Sequence, residues 1–188
     1  MKKIRCHWVT DDPLYIIYHD EEWGRPVYDD RKLFEFLILE SFQAGLSWLT
    51  ILRKRENFRR AFDNFDYQRI ARYDEEKLEK LRQDAGIIRN RLKIRAARTN
   101  ALAYIKVQKE FGSFADYLWA FVNHKPIINY WPDAGAVPAR TGLSDKISKD
   151  LKKRGFTFTG STIIYAYMQA VGLVNDHEAN CFLRPEEK

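Results

Sequence analysis

The chain has 188 residues, enough for one domain that buries its own core without disulfide staples. Apolar residues make up 45% and charged residues 31%, which excludes an intrinsically disordered chain. No apolar run approaches the roughly 20 residues of a membrane span, and 32 Lys and Arg against 26 Asp and Glu leave +6, which permits a polyanionic partner without requiring one.

Taken in chain order, Met1-Lys2-Lys3-Ile4-Arg5 leads into polar and aromatic sequence with no apolar signal core, so a cytoplasmic protein is expected. Tyr15 and Tyr18 stand three apart and share a face, with His19 beside them. Arg31 to Phe42 carries Leu33, Phe34, Phe36, Leu37, Leu39 and Phe42, a buried helix with Asp29 or Asp30 as its N-cap. Ser47 to Phe62 starts at a capping serine, and Asp74-Glu75-Glu76 opens a helix with acids where its dipole favours them. Ile87, Ile94, Ala97, Ala101 and Ile105 recur at helical spacing, predicting a helix over 87–110. Further helices are predicted over 114–122, 144–154 and 162–173, with Gly155 at a C-terminus. Lys125 to Gly142, holding Pro126, Pro132 and Pro138, reads as a long surface loop, and Phe156-Thr157-Phe158 is the one alternating stretch. The expected class is all-α.

Only two cysteines are present, at opposite ends, and each has a histidine at a ligand-like offset: Cys6-x12-His19 and His177-x3-Cys181. The second spacing places both donors on one face of a helical turn. Two thiolates and two imidazoles complete a tetrahedral Zn²⁺ set, and a closed set is structural. A Cys6–Cys181 disulfide, or two unrelated thiols, are the alternatives. His7 is a rival ligand, although chelation shared with adjacent Cys6 is awkward.

Glu40 lies seven residues after Leu33, four after Phe36 and three after Leu37, on the apolar face of its helix. A carboxylate there is costly unless it reaches solvent, pairs with an arginine, or forms the floor of a pocket. Gln43-Ala44-Gly45-Leu46-Ser47-Trp48 follows as a tight loop with an apolar tip at Leu46. Trp8, Tyr15, Tyr18, Trp23 and Trp48 crowd the same neighbourhood. Such a cluster is ordinary core or a pocket that stacks on a flat, cationic base. Asp84-Ala85-Gly86-Ile87-Ile88 reads as a hairpin opening a helix, whose free amides favour a phosphate. Arg89, Arg91, Lys93, Arg95 and Arg98 follow, either as phosphate ligands or as a solvated basic face, and Lys149, Lys152, Lys153 and Arg154 form a second cluster.

Several of these segments together resemble a known family. Cys6-His7-Trp8-Val9, Asp12-Pro13-Leu14-Tyr15, Tyr18 to Gly24, Glu40, Gln43 to Trp48, Lys54-Arg55-Glu56-Asn57, Asp84 to Arg89, Lys152 to Phe156, and Gly172 to His177 with Cys181 are similar to the DNA-3-methyladenine glycosylase I family, over residues 5 to 182. The resemblance implies a helix-hairpin-helix superfamily fold over one domain, 1–188, of two helical lobes with the base pocket between them. It implies a zinc staple of Cys6, His19, His177 and Cys181, and hydrolytic removal of 3-methyladenine, with 3-methylguanine as a second candidate, from alkylated double-stranded DNA. Glu40 would be the catalytic and recognition carboxylate, Tyr18 would bond the flipped base, and Trp48 would stack on it. Trp8, Tyr15 and Trp23 would line the pocket, and Leu46 would wedge the duplex. Gln43, Gly45, Gly86, Arg89, Arg91 and Lys153 would join Leu46 in contacting DNA. A monomer associated with the nucleoid is expected. The hairpin lacks the superfamily's Leu-Pro-Gly-Val-Gly form, and no lysine-then-aspartate pair follows it, which points to hydrolysis without a Schiff base. A zinc-stapled DNA-binding module without catalysis, and a purine binder, are the rival readings.

Overall fold

The computed structural model describes residues 3–186. The fold is built around one helix. Helix α2 (Asp30–Gln43) is buried at every position from Leu33 to Phe42, so it is enclosed on all sides rather than amphipathic. Asp29 caps its start by accepting from the Lys32 amide at 2.8 Å. Around it pack α3 (Trp48–Ala61), α6 (Arg91–Phe111), α7 (Phe114–Ala120) and α9 (Ser161–Ala170).

The other helices extend this shell. Helix α1 (Pro13–Glu21) lies on α3, α4 (Tyr67–Ile70) and α5 (Glu75–Gln83) lie on α6, and α8 (Gly142–Lys153) lies on α9. Their starts follow the sequence: Asp12 caps α1 ahead of Pro13, Ser47 caps α3, Asp74 caps α5 and Thr141 forms a capping box with Ser144. Buried apolar side chains from all the long helices form one cluster, centred on Phe34, Phe36, Phe42, Phe58, Tyr104 and Trp119. No helix among the described residues is long and apolar enough to cross a membrane.

Three local expectations are corrected. The helix expected from Ile87 begins at Arg91, because Asn90 caps it with its side chain on the Leu92 and Lys93 amides. Phe156-Thr157-Phe158 forms no strand; instead Ile127–Ile128 (β1) pairs in parallel with Val174–Asn175 (β2). That pairing pins the start of the 125–142 segment, which is therefore more than a surface loop. Finally, residues 177–181 form a turn rather than a helical turn, closed by Cys181 N–H donating to the Glu178 carbonyl at 2.9 Å.

Candidate active site

Glu40 projects into a cavity of about 310 Å³ whose walls include Trp8, Tyr15, Tyr18, Trp23, Gln43 and Trp48. The α2 start signal and the run of buried positions from Leu33 place Glu40 one helical turn from the C-terminus, four residues beyond buried Phe36. Its side chain is only 4% exposed, and Oε2 has no hydrogen-bond partner. Solvent access and an arginine partner are both excluded: the nearby guanidinium of Arg55 pairs with Glu22 and Glu35 instead. Burial alone pushes the Glu40 carboxyl up to about 8. A second unpaired group is close at hand in the same wall, the buried indole Nε1 of Trp48. Tyr18 sits against Trp48 with ring centroids 5.4 Å apart, and burial, helped by the facing Glu40, raises its phenol well above the ordinary range. The result is an aromatic slot with a donor and a carboxyl left unsatisfied, the arrangement that a flat polar ring completes.

The loop after α2 is fixed by two devices. Ala44 (φ −46°, ψ 116°) and Gly45 (φ +84°) take the central positions of a type II turn, closed by Leu46 N–H to the Gln43 carbonyl at 2.6 Å. The positive φ requires glycine, and the turn leaves Leu46 at the tip, 40% exposed. Lys93 then reaches across from α6 and donates Nζ to the carbonyls of Phe42 (2.9 Å) and Ala44 (2.8 Å). A cation at a helix C-terminus is favourable there, and Lys93 is buried, so it does not belong to a solvated basic face. The sequence carried a signal for this: Lys93 stands four residues before Ala97 and eight before Ala101, on the apolar stripe of α6.

Behind the aromatic wall the chain ends meet. One ligand atom each from Cys6, His19 and Cys181 lies within 4.8 Å of the others. His19 Nδ1 faces the Asp20 carboxylate at 2.8 Å, so Nε2 is left toward the thiols, 3.4 Å from Cys181 Sγ. Asp20 is itself held down to about 2 by the Arg5 guanidinium. His177 lies outside the 4.8 Å group, but its ring centroid is 5.2 Å from that of His19. Its Nδ1 faces Asn175 Oδ1 at 2.8 Å, and its Nε2 is buried with no partner. Gly24 permits this packing, since a Cβ there would stand 2.8 Å from His177 Cε1. Burial holds His177 neutral, down to about 4, and the Cys6–Cys181 thiol contact lowers Cys181 while raising Cys6. Two thiols and an imidazole nitrogen gathered at one buried point, with the orphaned His177 Nε2 on a ring packed against His19, are a donor set that suits a divalent metal with N and S ligands. Trp23 joins the two centres, packing on His177 at 4.7 Å while lining the cavity.

The hairpin is held from beneath. Lys54 Nζ donates to the carbonyls of Ala85 (3.0 Å) and Gly86 (3.3 Å), and Asn57 Nδ2 to that of Gly86 (3.2 Å). Gly86 N–H donates to Asp84 Oδ1 at 2.7 Å, and Asn90 occupies the Leu92 and Lys93 amides, so these are not free anion donors. Arg95 and Arg98 are engaged by Glu75, and Arg154 by Glu110 and Asp150. Arg89, Arg91 and Lys153 are exposed.

Residues 8–184 match the family model for methyladenine glycosylase. The DNA-3-methyladenine glycosylase 1 of Escherichia coli is 52% identical over 184 residues, 98% of each chain. The chain belongs to the methyladenine glycosylase family. The DNA-3-methyladenine glycosylase of Haemophilus influenzae is 50% identical over 177 residues, covering 94% of this chain and 96% of the relative. A solved structure of 3-methyladenine DNA glycosylase I superposes with a TM-score of 0.94 at 53% identity, over 97% of this chain and 100% of that one. Another, described as the structural basis of 3-methyladenine recognition by the Staphylococcus aureus glycosylase, superposes at 0.93 with 36% identity over 98% of both.

Within this family member, the structure brings Glu40, Tyr18, Trp48, Trp8, Tyr15, Trp23 and Gln43 to one cavity, while Gly45 and Leu46 lie on the adjoining turn. Gly86, Arg89, Arg91 and Lys153 do not line it. Sequence reasoning missed six residues that do: Ala134, Val137, Ala166, Gln169, Asp176 and Glu178. Ala134, Val137 and Glu178 stand outside the long helices and carry no periodicity, and Ala166 and Gln169 lie in α9 with nothing in the pattern to mark them, so only the Gly172 to His177 segment gave a handle, on Asp176.

Proposed function

We propose that this chain is a monofunctional DNA glycosylase that excises 3-methyladenine from alkylated double-stranded DNA. The observation that carries the reading is the unpartnered Glu40 carboxyl in an aromatic slot. An N3-methylated adenine nucleotide carries positive charge on its base, so its glycosidic bond is already weak and the neutral base leaves well. The enzyme's work is then to extract the nucleotide and bind it selectively. The π faces of Trp48 and its neighbours attract a cationic ring. Glu40, beside that ring, supplies the negative charge and the acceptor, and stabilises the developing oxocarbenium-like sugar. The chemistry requires no amine nucleophile, and Lys93, the buried lysine next to the loop, has its ammonium occupied by two carbonyls.

The hairpin at 84–90 and the α5–α6 pair serve as a helix-hairpin-helix that holds the phosphate backbone. Arg89, Arg91 and Lys153 are its exposed cations, and sequence-independent contact is what these supply. Leu46 enters the gap left by the extruded nucleotide. Leu46→Ala is expected to cut excision from duplex DNA about tenfold, the cost of losing an apolar wedge. Because Leu46 is exposed, binding of free 3-methyladenine and the melting temperature should stay unchanged. A structural Zn²⁺ held by Cys6, His19, His177 and Cys181 joins the chain ends and carries the Trp8–Trp23 wall. The whole chain acts as one glycosylase domain, a monomer located with the bacterial nucleoid.

The test is the fate of methylated duplex DNA. Strands should remain intact after treatment with the protein and break only on heating in alkali, and borohydride should trap no covalent adduct. Strand cleavage without alkali, or a trapped adduct, would refute a monofunctional hydrolase.

A further inference from the structure

Asp176 is buried at 2% exposure, and among the described residues it forms no ion pair with any lysine or arginine. It is satisfied by four neutral donors. Oδ1 accepts from Asn129 Nδ2 at 2.6 Å and Trp131 Nε1 at 2.9 Å, and Oδ2 from Tyr165 OH at 2.5 Å and Gln169 Nε2 at 2.7 Å. Two of these donors belong to α9 and two to the segment that follows β1. Such bonds to a carboxylate are stronger than neutral ones, and a buried carboxylate without them is costly.

The segment so held is a wall of the cavity. Ala134, in a single 3-10 turn (Ala134–Ala136), and Val137 just after it line the cavity together with Gln169 and Asp176 itself. The β1–β2 pairing ends with Asn129 N–H to the Asn175 carbonyl at 3.0 Å. From there to residue 137, the hydrogen bonds to the rest of the described chain are Trp131 to Asp176 and Tyr130 OH to the Glu186 carbonyl at 3.1 Å. The remaining bonds, Ala136 N–H to Asp133 and Val137 N–H to Ala134, are internal. Past β1 its one regular turn is held by bonds internal to the segment, so the segment depends on side chains for its position.

We infer that Asp176 is a positioning residue, which latches residues 129–137 onto α9 and so closes the side of the cavity that the small apolar Ala134 and Val137 face. A wall that stays closed excludes water from the slot, which strengthens both stacking and the Glu40 contact. A wall of small side chains leaves the slot's width to be set by how tightly the latch holds. This rests on the reading of the cavity as a base pocket, but the latch itself is testable without it.

The loop-side donors can be removed without touching Asp176, its neighbour His177 or any aromatic wall residue. In the double variant Asn129→Ala/Trp131→Phe, amide hydrogen exchange over 130–137 in the free protein should speed up by about tenfold, the size of one net charge-assisted hydrogen bond, with α2 unchanged. KM for methylated duplex DNA should rise about tenfold, with kcat within about twofold, on the same energetic scale. Metal content and melting temperature should stay close to those of the parent. Unchanged exchange over 130–137 would overturn the latch. Faster exchange with unchanged KM would overturn its role in the pocket, and so would equal losses in kcat and KM that merely track melting. If the parent protein itself released no methylated base, the base reading would fail, and exchange would still decide the latch.

Discussion

Glu40→Gln is expected to lower kcat/KM for excision by about 10²-fold, the scale seen when one preorganised electrostatic group is removed from a reacting site. The substitution keeps the shape and the hydrogen-bonding reach of the side chain but removes its ability to ionise. In the empty slot burial holds the carboxyl up to about 8, so it is mostly protonated at neutral pH. A cationic base in the slot favours the ionised form. The pH profile of kcat/KM, which reports groups of the free enzyme, should therefore rise toward about 8 and level above it. Glu40→Gln should flatten that limb as well as lower it. Parent-like rates from the variant would remove Glu40 from the mechanism.

The same group links stability to pH. Its folded value of about 8 lies above the 4.5 of an unperturbed Glu, so the folded state binds the extra proton between those limits. Its contribution is complete below 4.5 and is lost as pH rises toward 8, leaving a penalty of a few kcal/mol, in order of magnitude, above that. Thermal melts of the parent should fall relative to Glu40→Gln between pH 5 and pH 9, a window set by these two values. A constant difference between the two proteins across that range would mean that Glu40 is not held protonated.

The second large effect is expected at the chain ends. Cys181→Ser should strip the purified protein of zinc and lower its melting temperature. A metal tie between Cys6 and Cys181 would close a loop over nearly the whole chain, so its loss would destabilise by several kcal/mol, each worth about 2–4 °C at this size. Because Trp23 packs on His177 and Trp8 on His19, at 4.7 and 5.4 Å, base binding should weaken in parallel. Elemental analysis of the parent is the direct control: a protein free of zinc and indifferent to chelators would mean that the cysteine–histidine cluster is held by packing alone.

How far the sequence discloses all this depends on the element. Helix α2 was legible because ten consecutive buried positions leave no ambiguity, and the same regularity exposed Glu40 as a misfit. The chain ends were legible because cysteine and histidine are scarce, so their spacing carries information. Helix α6 starts later than its period suggests: Ile87 is buried and fits the helical spacing, yet Asn90, an N-cap residue, stops the helix behind it. Lys93 stands within a basic run, yet its partners are backbone carbonyls, which no sequence pattern encodes. The 125–142 segment was least legible. Its prolines announce a loop, but that Trp131 meets Asp176 is a contact across 45 residues between two irregular segments. The hairpin shows the opposite error: its glycine suggested free amides, while Asp84 and Asn90, visible in the sequence, are the side chains that occupy them.

The most direct measurement is chromatography of the bases released from methylated duplex DNA. Free 3-methyladenine is expected as the main product, released about 10²-fold more slowly by Glu40→Gln. No released base, or 7-methylguanine or 1,N6-ethenoadenine as the main product, would contradict it.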